Sequence, residues 1–88
     1  MRLKYTFEVM ELDDQFIAVP VGDGASQLHG LFKMNKTAAF VFNLLQKGMT
    51  EQEIVDEMKK EYDAPVEQLS EDVHKAIGEF VKMDLIMM

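Results

Sequence analysis

The sequence contains no cysteine, so disulfides, thiolate metal sites, iron–sulfur clusters and thiol nucleophiles are all excluded. It also has no run that approaches the roughly 20 apolar residues of a membrane span. The opening residues MRLKYTFEV lack the apolar core of a secretory signal peptide. We therefore expect a soluble, cytoplasmic protein with no membrane partner.

Basic residues are scarce relative to acidic ones, since 9 Lys and Arg stand against 16 Asp and Glu, for a net charge of -7. The imbalance is concentrated between Thr50 and Asp63, where six carboxylates accompany two lysines. Proteins hold phosphate backbones with Lys and Arg, so an acidic surface repels nucleic acid. The composition argues against a nucleic-acid partner.

Residue patterns typical of catalysis or metal binding are also missing. The two histidines, His29 and His74, do not occur in HxH, HxxxH or HExxH spacing. The acidic residues Asp13, Asp14 and Asp23 do not form a calcium-binding loop, and the only Gly-x-Gly pair lacks the remainder of a phosphate-binding loop. We therefore expect no catalytic residues, no metal and no cofactor, and hence no enzymatic activity in this chain alone.

The first third of the chain is predicted to form β-strands. Side chains alternate between apolar and polar from Leu3 to Val9, and a change of phase beyond that point suggests a bulge near its end. The Asp13-Asp14 pair favours a turn into a second strand from Phe16 to Val21. Because Pro20 cannot donate to a ladder, it should lie at an edge or a strand end. A third strand is predicted at about Gln27 to Lys33.

The rest of the chain is predicted to form helices over about residues 35–47, 50–62 and 66–83. Asn35 is a suitable N-cap, Gly48 a suitable left-handed C-cap, and Thr50 with Glu53 forms a capping box. Pro65 separates the last two helices. Three strands over about residues 3–33 followed by three helices predict a single α+β domain over residues 1–88, winged-helix-like, with an antiparallel sheet.

Two features of this arrangement could bind a partner. An unpaired edge of the third strand beside the third helix would form a groove for an extended peptide. The first helix is apolar on two faces, because Phe40 and Leu44 lie opposite its main, core-facing stripe of Met34, Ala38, Val41, Phe42 and Leu45. One of these faces needs a covering partner.

An ordered set of short motifs resembles the PqqD-like family, which is named for a protein of pyrroloquinoline quinone synthesis and includes recognition elements of ribosomal peptide modification systems. The resemblance covers about residues 28–86. The motifs are Met34-Asn35-Lys36-Thr37-Ala38, Val41-Phe42, Leu44-Leu45, Thr50 to Val55, Tyr62-Asp63, Asp72-Val73 and Asp84-Leu85-Ile86. Departures from the family pattern are Met34 for Leu, Phe42 for Trp, Ala76 for a larger residue and Asp84 for Gly.

The resemblance implies a module that binds the leader segment of a ribosomally made precursor peptide and presents it to a tailoring enzyme, often a radical SAM enzyme. In such modules the leader adds as a strand to the third strand and lies against the third helix. The implied peptide-binding residues are Leu28, His29, Gly30, Leu31, Phe32, Lys33, Asp72, Lys75, Ala76 and Glu79. The opposite flank of the third helix, with His74 and Gly78, is the alternative wall.

Two other functions remain open from the sequence. A winged-helix regulator that binds DNA would need a basic recognition helix, whereas Glu67 to Lys82 carries four carboxylates and two lysines. An interaction module could instead form a homodimer through Phe40 and Leu44.

Overall fold

The computed structural model describes residues 2–22 and 31–87. The strands are β1 (Arg2–Leu3), β2 (Thr6–Leu12), β3 (Gln15–Val21), β4 (Phe32–Met34) and β5 (Ile86–Met87). The helices are α1 (Lys36–Gln46), α2 (Glu51–Glu61) and α3 (Val66–Lys82). None of the helices in the described ranges is both long enough and apolar enough to cross a bilayer.

The central sheet is antiparallel, with strand order β2-β3-β4. In register, Phe7 lies opposite Pro20, and Ala18 lies opposite Phe32. The three helices follow this sheet along the chain. The predicted α+β class, a three-stranded antiparallel sheet followed by three helices, is therefore confirmed.

Two details of the predicted strands are wrong. The β2–β3 ladder is unbroken from Thr6 to Leu12, so there is no bulge near Val9. The change of phase arises because Met10 and Leu12 lie on the outer face of the sheet, 52% and 62% exposed. The first residues also leave the predicted strand, since Arg2–Leu3 pairs with Ile86–Met87 in a separate two-stranded sheet.

The helix ends follow from local hydrogen bonds. Asn35 Oδ1 accepts from the Ala38 N–H at 2.8 Å, and Thr50 and Glu53 form the predicted capping box. Gly48 has φ 85°, so it is the left-handed residue after α1. These caps place the first turn of α1 directly after β4 and keep the α1–α2 connection short.

The end of α3 has the same left-handed geometry at Asp84, with φ 60°. The Asp84 N–H donates to Val81 O at 3.0 Å, and the Leu85 N–H donates to Phe80 O at 3.1 Å. This pair of bonds is a Schellman motif, in which glycine is the usual left-handed residue. Asp84 occupies that position instead, and its carboxylate lies 2.7 Å from Lys4 Nζ.

The core is centred on Phe42 of α1, which is fully buried. Its ring makes edge contacts with Phe7, Phe32 and Phe80, at centroid distances of 5.1, 5.7 and 5.2 Å. One side chain of α1 thereby holds β2, β4 and α3 together. Edge-to-face aromatic pairs of this kind each add about 0.5–1.5 kcal/mol beyond the area they bury.

The second apolar face of α1 is covered within the chain. Leu44 is only 8% exposed, and Phe40 packs edge-on against Tyr62, at the end of α2, with a centroid distance of 5.7 Å. The partner that this face requires is therefore the segment that contains α2 and Tyr62.

Candidate functional site

Among the described residues, β4 lies at one edge of the central sheet and pairs with β3 alone. The Phe7 N–H donates to Gln46 Oε1 at 2.8 Å, so it points away from β3. In an antiparallel ladder the N–H and C=O groups of successive residues point alternately to the two sides of the strand. The backbone groups of Ala18 therefore point toward β4, and those of Phe32 point toward β3. The N–H and C=O of Lys33 consequently face outward, where they can pair with an added strand.

A cavity of ≈ 380 Å³ opens between α1 and α3, next to the point where β4 ends. Its apolar walls come from Ala38, Ala76 and the buried Phe80. Alanine side chains leave room between the two helices, where larger residues would fill the space. The lining residues are Asn35, Thr37, Ala38, Asp72, Lys75, Ala76, Glu79 and Phe80. We call this space the α1–α3 cavity.

The β4 edge and the α1–α3 cavity meet at Asn35. This residue follows Met34 of β4 and lines the α1–α3 cavity. It also lines a smaller depression of ≈ 260 Å³ that includes Lys33 and Met34. The ring contacts from Phe32 to Phe42 and from Phe42 to Phe80 fix β4 relative to α3. The strand edge is therefore held rigidly beside the cavity.

Charged side chains of both signs surround the α1–α3 cavity. Asp72 accepts a hydrogen bond from Gln68 Nε2 at 3.0 Å, and Glu79 lies 3.9 Å from Lys82 Nζ. Lys75 forms no ion pair with any described residue. The rim thus offers two carboxylates and one unpaired ammonium group to a ligand whose apolar side chains enter the cavity.

The structure brings the four helix residues of the predicted site together. Asp72, Lys75, Ala76 and Glu79 all line the α1–α3 cavity. Of the strand residues, Leu31, Phe32 and Lys33 lie in or next to β4 without lining this cavity. Leu28, His29 and Gly30 lie outside the described residues.

The contribution of α1 to the cavity was missed from the sequence. Ala38 was assigned to the core stripe of α1, yet it is only partly buried and faces the cavity together with Ala76 of α3. The sequence contains a signal for this space, because α1 and α3 each place an alanine in an apolar stripe that otherwise consists of larger residues. Two such alanines on packed helices leave a space between them.

Among residues 2–22 and 31–87, no group of three acidic or histidine side chains is placed to hold a metal ion. No polar or charged residue in these ranges is buried. The imidazole of His74 is exposed, and its Nδ1 lies 3.5 Å from Glu51 Oε2, away from the α1–α3 cavity.

Comparison with known proteins bears directly on the α1–α3 cavity. The profile of the family described as Coenzyme PQQ synthesis protein D (PqqD) matches residues 21–86. This chain belongs to the PqqD family. The match includes β4, all three helices and both walls of the α1–α3 cavity, and it confirms the resemblance drawn from the motifs. Among curated proteins, none matches this PqqD family member.

Two solved structures share the fold of this PqqD family member. One is TbiB1 in complex with the TbiA(beta) leader peptide, with a TM-score of 0.72 and 19% identity over 97% of this chain and 93% of that chain. The other is lasso peptide synthetase B1 complexed with the leader peptide, with a TM-score of 0.72 and 18% identity over 99% of this chain and 96% of that chain. At these identities the likeness is one of fold.

Proposed function

We propose that this PqqD family member is a peptide-binding module that captures the leader segment of a ribosomally made precursor peptide. The observation that carries the proposal is the outward-facing edge of β4 beside the α1–α3 cavity. Both structures that share the fold contain a bound leader peptide. Family membership and this geometry therefore support the same function.

Binding would begin with strand addition to β4. The N–H and C=O of Lys33 face outward and can exchange hydrogen bonds with an extended peptide. We include Leu28, His29, Gly30, Leu31 and Phe32 in the proposed strand side of the site. Backbone pairing supplies affinity for any extended chain, so sequence selection has to come from side chains.

Selection would occur in the α1–α3 cavity. Side chains of an added strand alternate in direction, so every second residue can turn toward the cavity. The small Ala38 and Ala76 leave space for an apolar leader side chain. Asp72 and Glu79 favour a basic leader residue nearby, while Lys75 favours an acidic one. Exposed charge pairs of this kind are worth at most about 1 kcal/mol each, so they would adjust the preference that the apolar contact sets.

In this proposal the chain acts as an adaptor, and a separate tailoring enzyme modifies the bound precursor. A radical SAM enzyme is the partner class that the resemblance suggests. Such an adaptor would operate in the cytoplasm, where precursor peptides are synthesised. Ordering a flexible leader costs part of the interaction free energy, so affinity can fall anywhere between micromolar and nanomolar.

The two alternatives find less support. A DNA-binding role would use α3 as a recognition helix, yet the cavity-facing flank of α3 presents Asp72 and Glu79 with a single lysine. A dimer through Phe40 and Leu44 would need these residues to be free, whereas both pack within the chain. A salt-dependent mobility shift on duplex DNA would reveal DNA binding. Sedimentation at several concentrations would reveal a dimer.

A backbone-amide titration by NMR tests the proposed function. The probe is the N-terminal half of the precursor peptide, to be identified among the short reading frames that neighbour the gene for this chain, and it is here called the leader probe. We expect the signals of Leu31 to Lys33 to shift together with those of Asp72 to Phe80. Shifts confined to the acidic face of α2, with β4 and α3 unchanged, would contradict the proposal.

A further inference from the structure

A second and larger cavity, of ≈ 910 Å³, lies at the opposite end of α1. It is formed by the start of the chain, the ends of the β2–β3 ladder and the turn after α1. The lining residues are Arg2, Leu3, Lys4, Tyr5, Thr6, Val21, Gly22, Leu45, Gln46, Lys47 and Gly48. We call this region the basic cleft.

The basic cleft differs in charge from the rest of this acidic chain. Arg2, Lys4 and Lys47 line it, whereas none of the 15 Asp and Glu residues within 2–22 and 31–87 does. Lys4 is held by Asp84 at 2.7 Å, but Arg2 and Lys47 form no ion pair with any described residue. Three of the chain's nine basic residues therefore surround one concave surface, and two of them have no ion-pair partner in the part of the chain that the structure describes.

Uncharged donors accompany these cations. Gln46 Oε1 already accepts the Phe7 N–H, so the amide group of Gln46 has its NH₂ end left to donate. Tyr5 and Thr6, whose side chains carry hydroxyl groups, also line the basic cleft. Leu3, which is partly exposed, adds apolar surface between the polar groups. Cations, neutral donors and apolar patches together suit a chain segment that carries both carboxylates and apolar side chains.

The basic cleft and the α1–α3 cavity are independent sites. They share no lining residue. One lies beside the first turn of α1 and the other beside its last turn, and a helix of 11 residues is about 16 Å long. A ligand in one site therefore leaves the other accessible.

We propose that the basic cleft binds an acidic, partly apolar peptide segment of a partner protein. Charge complementarity favours this ligand, because the cleft is the cationic part of a chain with net charge -7. Nucleic acid is disfavoured, since its extended phosphate backbone would also meet the surrounding acidic surface. The identification of this partner as the tailoring enzyme rests on the function proposed above. The preference of the cleft for an acidic segment rests on the lining residues alone.

The experiment uses an acidic probe, a peptide that repeats Glu-Leu-Asp-Phe, and a neutral control peptide that repeats Gln-Leu-Asn-Phe. We expect the acidic probe to shift the amide signals of residues 2–6 and 45–48 and to leave those of α3 unchanged. The double variant Arg2→Glu/Lys47→Glu should lower affinity for the acidic probe roughly tenfold, as expected from the loss of two exposed charge pairs. Lys59→Glu/Lys60→Glu, which changes the net charge by the same amount at two exposed positions outside the basic cleft, is the control for a general change in charge.

Several results would overturn the proposal. These are shifts centred on α3, equal binding of the neutral peptide, an equal loss of affinity in Lys59→Glu/Lys60→Glu, or tighter binding of single-stranded RNA than of the acidic probe. If the double variant fails to fold, Arg2→Gln/Lys47→Gln replaces it with the same expected direction. Adding the leader probe to the saturated complex separates the two proposals. If the leader probe then causes no shifts in α3 while the acidic probe has shifted the cleft, the leader site is contradicted and the basic cleft is not. If the leader probe shifts α3 but the acidic probe has caused no shifts in the cleft, the basic cleft is contradicted and the leader site is not.

Discussion

The two edges of the central sheet differ in what lies beside them. The β2 edge is longer, with seven residues against three in β4, but the Phe7 N–H on that edge is already bonded to Gln46. The β4 edge ends at Met34 and is followed by Asn35, which lines the α1–α3 cavity. Under the proposed function the shorter edge would take the peptide, so edge length alone would not define the site. Backbone groups become a selective site where a side-chain cavity lies next to them.

Removing the Phe42 ring should disturb both edges of the sheet, because this ring contacts Phe7 of β2, Phe32 of β4 and Phe80 of α3. Phe42→Ala should lower the free energy of unfolding by about 3–5 kcal/mol, measured by urea denaturation. The control is Phe40→Ala, since Phe40 is only partly buried and has one ring partner. Equal losses in the two variants would show that Phe42 is not the centre of the core.

Filling the α1–α3 cavity should weaken leader binding at the β4 edge while leaving the fold intact. A tryptophan at Ala76 would clash with a bound apolar side chain, at a cost of roughly 2–3 kcal/mol, which lowers affinity for the leader probe about 50-fold. Ala64→Trp changes an exposed residue outside the cavity and should bind normally. Fluorescence anisotropy measures both affinities. Unchanged binding by Ala76→Trp would separate leader recognition from this cavity.

Proline substitutions compare the two edges directly. Lys33 and Glu11 both direct their N–H away from the ladder, so proline removes an outward donor in each case. Lys33→Pro should weaken leader binding roughly threefold to tenfold, the effect of about one hydrogen bond, and Glu11→Pro should not. Lys33→Gln controls for the lost charge. Isothermal titration gives the affinities, and a larger effect from Glu11→Pro would move the site to β2.

The smallest effect is expected at Gln46, which covers the β2 edge. Gln46→Leu leaves the Phe7 N–H without its acceptor, so the free energy of unfolding should fall by about 1 kcal/mol. Affinity for the leader probe should stay unchanged, because the variant does not alter β4 or the α1–α3 cavity. A gain of leader binding that maps to β2 would show that Gln46 alone distinguishes the two edges.

Sequence reasoning succeeded where the interactions are local. The caps at Asn35, Gly48 and Thr50 depend on neighbours within a few positions, so the sequence contains all the information that determines them. The β1–β5 pair was missed because Arg2 and Met87 are far apart in the chain and each strand has only two residues. Strands of this length are too short to show the alternation of apolar and polar side chains that predicts a strand. They form because the ends of the chain are brought together by the core.

The site was predictable only in part for a related reason. Family resemblance pointed to the α3 flank with Ala76, and the cavity is lined by that flank. The α1 wall, with Ala38, depends on how two helices pack, and periodicity alone placed Ala38 in the core. The basic cleft could not have been foreseen, because Arg2 and Lys47 meet only through the folded arrangement of the first residues against the end of α1.

Hydrogen exchange of the Lys33 amide tests the central claim most directly. Strand addition to β4 gives this outward N–H a hydrogen-bond acceptor, so saturating leader probe should slow its exchange. Phe32 and Met34 already bond to β3 and should change less, and the outward Glu11 amide on the β2 edge should keep its rate. Slower exchange at Lys33 with no change at Glu11 is the predicted result. Unchanged exchange at Lys33 in the saturated complex would contradict strand addition to β4.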